Sequence, residues 1–236
     1  MDAIILVGGK GTRLQKVVSD VPKPLAPIGG VPFLDILLGQ LGKYTLIKKV
    51  VLAVGYKSEM IIERYKEKKT YHFKIVFSVE KKLLGTGGAI KKALSLTSSE
   101  DVIILNGDTF VDVDFEALVN FHIAHKSLLT MVLQKVDDTS RYGMVLIDEH
   151  SRIKSFAEKT KTHKNSLINA GIYVINKILF ENIGEERLSF EKDILPDFIK
   201  HDAYGYVVEG RFIDIGIPET YKIAKEYLRN IIKAVQ

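Results

Sequence analysis

Short apolar runs and amphipathic stretches alternate through the first half of the chain. The runs at 3–7, 49–54, 73–77 and 102–105 are dominated by aliphatic residues and are too short for buried helices, which predicts strands. Between them, apolar positions recur at helical spacing over 32–44, 58–66 and 87–96. Pro32 suits the first turn of the first helix, where its missing N–H does no harm. This alternation predicts βα units and a mainly parallel sheet.

The second half changes character. Runs at 128–133, 143–147, 153–156 and 167–175 are β-rich and separated by short polar stretches, which predicts a hairpin-rich portion added to the same sheet. Helical patterns follow at 190–200 and 219–232. No Ser/Gly-rich linker, internal repeat or low-complexity tract interrupts the 236 residues, so one domain is expected. The expected class is α/β: a Rossmann-like, three-layer α/β/α arrangement around a mainly parallel mixed sheet.

Composition narrows the chemistry. A hydrophobic content of 46% is enough for a sizeable core. The absence of cysteine excludes disulfides, thiolate metal sites and a cysteine nucleophile. No basic leader precedes the run at 3–7, which is too short for a signal-peptide core or a membrane span, so a cytoplasmic protein without membrane association is expected. Thirty-four Lys plus Arg against 29 Asp plus Glu leave a net charge of +5. That excess is scattered, for instance over 66–69, 81–82 and 159–164, rather than gathered on one tail or helix face. It argues against nucleic acid as a partner and suits small phosphorylated substrates.

The strongest local feature is Leu6-Val7-Gly8-Gly9-Lys10-Gly11-Thr12-Arg13-Leu14, a glycine-rich turn directly after the first strand. Glycines let successive backbone N–H groups converge on phosphate oxygens. The P-loop pattern is absent, and Leu14 stands where a dinucleotide fingerprint needs a third small residue, so the turn alone is equally compatible with a structural role. Ten residues after Arg13, Val21-Pro22-Lys23-Pro24-Leu25 holds one lysine between two prolines that stiffen its backbone.

On Gly8 to Leu14 followed at this spacing by Pro22-Lys23-Pro24-Leu25, the chain resembles the sugar-nucleotide pyrophosphorylases, or sugar-1-phosphate nucleotidyltransferases. The resemblance implies that Leu6, Gly8, Gly9, Gly11 and Thr12 wrap a nucleoside triphosphate. Arg13 and Lys23 would stabilise negative charge during transfer. It continues in order through Glu80 and Leu84-Gly85-Thr86-Gly87-Gly88, a second glycine-rich turn opening a helix whose first N–H groups are unpaired, which is similar to the family's base-recognition segment. Asn106-Gly107-Asp108 closes a strand, and Phe212-Ile213-Asp214-Ile215-Gly216 follows much later. The resemblance gives Asp108 and Asp214 to Mg²⁺, with Asp108 also in the nucleotide site, although spacing alone does not show that the two meet.

For the sugar, the resemblance points to Glu158 and Lys159, with Lys159 on the sugar phosphate, to Asn169 and Gly171 on a later strand, and to Gly143 after Tyr142. It divides the chain into a nucleotide-binding part over about 1–110 and a sugar-binding part over about 111–220. It implies the nucleotide-diphospho-sugar transferase type of fold, and nucleotidyl transfer from a triphosphate to a sugar 1-phosphate with loss of pyrophosphate. Within the family, the Glu80 segment and the run Val21-Pro22-Lys23-Pro24-Leu25-Ala26-Pro27-Ile28 look most like guanylyltransferases that use GTP and D-glycero-α-D-manno-heptose 1-phosphate. Mannose 1-phosphate enzymes come next, then uridylyl- and cytidylyltransferases. The sequence departs from many relatives at Lys16 and Val18, where they carry proline and threonine.

Other constellations are weaker. His122 and His125 share a helical stretch but have no further ligand at zinc spacing, and no Gly-x-Ser-x-Gly elbow supports serine hydrolase chemistry. A catalytically silent nucleotide-binding subunit is disfavoured because Arg13 and both aspartates are present. A homo-oligomer stays open.

Overall fold

Strand β1 (Asp2–Leu6) sends alternate side chains to opposite faces, and both faces are buried: Ala3 and Ile5 enter one core while Ile4 enters another. The computed structural model describes residues 1–157, 166–184 and 186–235. After β1 the chain makes a short hairpin, β2 (Pro27–Ile28) and β3 (Val31–Pro32), and then α1 (Phe33–Leu41), β4 (Lys49–Val54), α2 (Ser58–Tyr65), β5 (Lys74–Val79), α3 (Gly85–Leu94) and β6 (Asp101–Asn106). β5, β4, β1 and β6 lie side by side and all pair in parallel, with Ile4 opposite both Val51 and Ile104.

The later strands extend this sheet. After β7 (Thr109–Val111) and α4 (Phe115–Ala124) come β8 (Leu129–Val136), β9 (Met144–Ile147), β10 (Ile153–Ala157) and β11 (Ser166–Asn176). β11 runs antiparallel to β6 and carries both β8 and β9 as antiparallel neighbours; β9 and β10 form a hairpin. α5 (Leu195–Phe198) leads to β12 (Ala203–Val208), which pairs in parallel with β8. β13 (Phe212–Asp214) returns to pair with β7 in a separate small sheet, and α6 (Pro218–Tyr227) and α7 (Arg229–Val235) follow. In the nine-stranded sheet β11 and β10 run against the common direction, so the sheet is mixed and mainly parallel.

Helices cover both faces. Phe33, Leu37 and Leu41 of α1, Ile61 of α2 and Phe115 and Leu118 of α4 fill one core. Ala89, Ile90 and Ala93 of α3 pack with Phe180, Phe190 and Phe198 in the other. The result is the three-layer α/β/α architecture expected from the alternation of elements. No helix among the described residues is long and apolar enough to cross a membrane.

Several boundaries differ from the sequence expectation. Pro32 precedes α1 in an extended conformation (φ −55°, ψ 137°) rather than sitting within its first turn. The stretch read as one helix over 190–200 opens as a π-helical turn, Phe190–Ile194, before α5. The C-terminal helix is broken at Leu228 (φ −102°, ψ 11°), which stays fully buried between α6 and α7. β7, β12 and β13 were not expected, since two are three residues long and β12 carries a glycine at its centre.

Candidate active site

The loops that follow β1, β4 and β6 meet at the carboxyl ends of parallel strands, the usual ligand edge of an open α/β sheet. After β1 the chain turns against the loop after β4: Val7 N–H donates to the Ala53 carbonyl at 3.0 Å and Tyr56 N–H to the Gly8 carbonyl at 3.0 Å. A Cβ on Gly8 would stand 3.1 Å from the Gly55 nitrogen and 3.2 Å from Glu80 Oε1, so the two loops pack tightly at this glycine. Gly11 has φ +61°, and a Cβ there would lie 2.9 Å from Lys23 Cβ. The glycine loop is thereby folded onto the lysine segment.

Lys23 opens a 3-10 turn, Lys23–Leu25, set by Pro22 (φ −63°, ψ 149°). Its side chain is 10% exposed, and Nζ reaches Asp108 Oδ2 at 2.5 Å. Asp108 lies between β6 and β7. Because β7 pairs with β13, Asp214 sits opposite Thr109, and Ile215 N–H donates to the Asp108 carbonyl at 2.9 Å. Two aspartates far apart in sequence are thus brought together by one short antiparallel pairing.

Asp214 accepts from Gly216 N–H at 2.5 Å and from Arg141 Nη2 at 2.7 Å. Burial pushes its carboxyl above the ordinary carboxylate range and the neighbouring Asp108 charge adds to this; Lys23, the Gly216 N–H and Arg141 act in the opposite direction. Each carboxylate of the pair thus faces one cation, Lys23 on Asp108 and Arg141 on Asp214. The pair's donors are hard carboxylate oxygens, and such a set fits Mg²⁺ completed by substrate oxygens and water. Among the described residues no group of three or more His, Cys, Asp or Glu gathers at one point, so these two carboxylates would be the protein's share of a metal site.

A cleft of about 450 Å³ runs over these groups. Leu6, Gly8, Gly9, Gly11, Thr12, Arg13, Lys23, Glu80, Gly85, Thr86 and Asp108 all line it. Glu80 follows β5 and accepts Leu84 N–H at 2.9 Å; burial pushes its carboxyl up, opposed by that N–H and by Lys92. Gly85 has φ +70°, and a Cβ there would collide with the Leu188 carbonyl. One sequence expectation is corrected here. The first N–H groups of α3 are not all open to a ligand, because Gly87 N–H donates to the Leu188 carbonyl at 2.8 Å.

The proposed sugar residues are placed differently. Gly143, Asn169, Gly171 and Asp214 are not among the residues lining the cleft, and Glu158 and Lys159 lie outside the described residues. Asn169 N–H donates to the Gly143 carbonyl at 2.9 Å, and a Cβ on Gly143 would overlap the Phe156 ring. Gly171 (φ +75°) allows close approach to Asn106, whose Nδ2 would be 2.6 Å from an added Cβ. Asn169 is 8% exposed and donates from Nδ2 to Tyr173 Oη at 2.6 Å and Glu191 Oε1 at 3.0 Å, so it lies one layer behind the wall. The structure adds Leu83, Tyr173, Arg187, Phe190 and Glu191 to the cleft and Arg141 to the aspartates. Arg141 could have been found by its place directly before Tyr142-Gly143, and Tyr173 by its place in the run Asn169-Ala170-Gly171-Ile172-Tyr173; the others carry no local signal.

Residues 2–230 match the nucleotidyl transferase family. The chain belongs to that family. This nucleotidyl transferase is 44% identical, over 98% of its own length and 100% of the other's, to the D-glycero-alpha-D-manno-heptose 1-phosphate guanylyltransferase of Aneurinibacillus thermoaerophilus. It is 38% identical to the mannose-1-phosphate guanylyltransferase catalytic subunit beta of Drosophila melanogaster, covering 93% of this chain but 60% of that protein. Among solved structures it matches HddC from Yersinia pseudotuberculosis complexed with GMP-PN, with a TM-score of 0.84 and 36% identity over 95% of this chain and 98% of that one. The nucleotidyl transferase fold and reaction class thus agree with the cleft.

Proposed function

We propose that this enzyme transfers GMP from GTP to D-glycero-α-D-manno-heptose 1-phosphate, giving GDP-heptose and pyrophosphate. The observation that carries the reaction is the junction of Lys23 and Asp108, both lining a cleft under a glycine loop, with Asp214 on the strand paired beside Asp108. The full-length likeness to a heptose 1-phosphate guanylyltransferase supports the choice of sugar. Support for GTP comes from the GMP-PN complex of the matching structure and from Glu80, since a carboxylate can accept from the N–H groups on the pairing edge of guanine.

In the reaction a phosphate oxygen of the sugar 1-phosphate attacks the α-phosphorus of GTP, the bond from that phosphorus to the bridging oxygen breaks, and pyrophosphate leaves with the electron pair. Both reactants are anionic, so repulsion is a large part of the barrier. The glycine loop, whose Gly8, Gly9, Gly11, Thr12 and Arg13 line the cleft, wraps the triphosphate, and Arg13 and Lys23 neutralise its charge as the pyrophosphate departs. Lys23 reaches the phosphates by exchanging Asp108 for a phosphate oxygen. Asp108 and Asp214 would hold Mg²⁺, which when bound supplies charge neutralisation at the reacting phosphates. Lys159 aligns the sugar phosphate and Glu158 its hydroxyls. Gly143, Asn169 and Gly171 shape that end of the cleft. The supply of nucleoside triphosphates places the reaction in the cytoplasm.

Mannose 1-phosphate is the second reading, favoured by the 38% identical Drosophila relative. Purified protein with Mg²⁺ and a grid of four nucleoside triphosphates against heptose, mannose, glucose and N-acetylglucosamine 1-phosphates separates the two. Pyrophosphate release from GTP with the heptose phosphate is expected, and a preference for mannose 1-phosphate would replace the first reading by the second. Silence in every pair would favour a subunit that binds nucleotide without turning it over.

A further inference from the structure

The residue that opens α2 breaks several local preferences at once. Lys57 stands at the N-cap with φ 51° and ψ 40°, a left-handed backbone that is costly for a residue with a side chain. A short oxygen-bearing side chain at this place would accept a free N–H of the first turn, and Lys57 makes no such bond. It also brings a positive charge to the positive end of the helix dipole. Glycine or asparagine would suit the turn better. Departures of this kind concentrate where a side chain has a task beyond local structure.

The task is visible at the other end of the side chain. Lys57 Nζ donates to the Ser19 carbonyl at 2.9 Å and to the Asp20 carbonyl at 3.0 Å. Asp20 stands three residues before Lys23. The neighbouring Tyr56 N–H holds the Gly8 carbonyl at 3.0 Å, so the loop after β4 grips the segment 8–20 near both ends, with Arg13 between the grips. Leu14 is buried and anchors the middle of that segment, but Lys16, Val17, Ser19 and Asp20 on the return to Pro22 are exposed. The bonds of Val17 and Val18 N–H to the Leu14 carbonyl shape this return without fixing where it sits. Downstream, the Lys23 turn is held by Phe33 N–H on the Ala26 carbonyl at 3.0 Å, and upstream by the Lys57 ammonium.

We propose that Lys57 is a positioning residue for nucleotidyl transfer: by holding the Ser19 and Asp20 carbonyls it fixes the return leg, so that Arg13 and Lys23 stand ready before the triphosphate arrives. Cations placed in advance need no reordering as charge develops on the departing pyrophosphate. The assignment rests on the reaction proposed above and adds a residue outside the cleft to it.

The test compares wild type with Lys57→Met, which removes the donor, Lys57→Arg, which restores one, and Lys57→Gly, which removes the donor and the backbone strain together. Pyrophosphate release is measured with GTP and heptose 1-phosphate each varied against saturating partner, beside thermal melts. The kcat is expected to fall about tenfold in the Met and Gly variants and to recover largely in the Arg variant. The KM for the sugar phosphate stays within about twofold. The Gly variant melts at least as high as the Met variant, because it sheds the strained backbone, and is equally slow. An unchanged kcat in both, or a kcat that recovers with melting temperature in the Gly variant, would overturn the positioning role. A second readout is tryptic cleavage after Lys16 without substrates, followed by mass spectrometry, which is faster in the Met and Gly variants; equal rates would overturn the clamp. Wild type that releases no pyrophosphate with any pair would overturn the reaction proposed above, and the cleavage rates would then decide the clamp by themselves.

Discussion

The two ends of the cleft are built by different means. At the proposed nucleotide end, the wall comes from glycine-rich loops after β1 and β5, and Lys23, whose side chain is 10% exposed, sits on a proline-stiffened turn. At the proposed sugar end the wall comes from side chains on β11 and on the π-helical turn, with Asn169 behind it bonded to Tyr173 and Glu191. A site made of backbone tolerates side-chain change and serves a shared chemistry. A site made of interlocked side chains can be retuned one residue at a time, which suits a family that keeps one reaction and varies the sugar.

The sharpest break in this comparison comes at the metal pair. Asp108→Asn should lower kcat on the order of a thousandfold with little change in melting temperature. Full activity in that variant would remove Asp108 from the reaction. Lys23→Ala is expected to lower kcat about a hundredfold; a raised KM for GTP with unchanged kcat would instead make the lysine a plain binding group.

At the proposed sugar end, Asn169→Ala should raise the KM for the sugar phosphate about tenfold and leave the KM for GTP within about twofold, since the residue braces that wall through its bonds to Tyr173 and Glu191. Equal effects on both substrates would mean that the two ends are not separable. Gly85→Ala should cost about 1–3 kcal/mol in denaturant unfolding, because the residue has φ +70° and its Cβ would meet the Leu188 carbonyl.

The smallest effect is on stability at Asp214. Its raised carboxyl pKa means that the metal-free native state prefers the proton there more than the unfolded chain does. This favours folding below the ordinary carboxylate range and is lost as pH rises through the native value, leaving a buried, repelled charge at neutral pH. Asp214→Asn should therefore raise the melting temperature of metal-free protein at pH 7, by an increment that shrinks as pH falls, while activity drops. A lower melting temperature at pH 7 would show that Arg141 and the Gly216 N–H outweigh burial.

The same contrast governs what could be read from sequence. Gly8 to Gly11, Lys23, Glu80, Gly85 and Asp108 announce themselves because each lies in a contiguous motif at a strand end, and the structure gathers them in one cleft. The four parallel strands were equally legible, being short runs dominated by apolar residues. Asp214 could be named through family likeness alone, since its meeting with Asp108 depends on a pairing between two three-residue strands. Glu191 was hidden inside a stretch with ordinary helical periodicity, because a π-turn shifts the side-chain phase without leaving a composition signal. β12 was missed for a related reason: Gly205 at its centre packs against Leu133, a contact made across the sheet and invisible along the chain.

The most direct test of the central claim is pyrophosphate release from GTP and D-glycero-α-D-manno-heptose 1-phosphate with Mg²⁺, by wild type beside Asp108→Asn. Rapid, metal-dependent release by wild type and on the order of a thousandfold less by the variant is the predicted result. Equal release by both proteins, or none by wild type with any nucleotide and sugar phosphate, would contradict it.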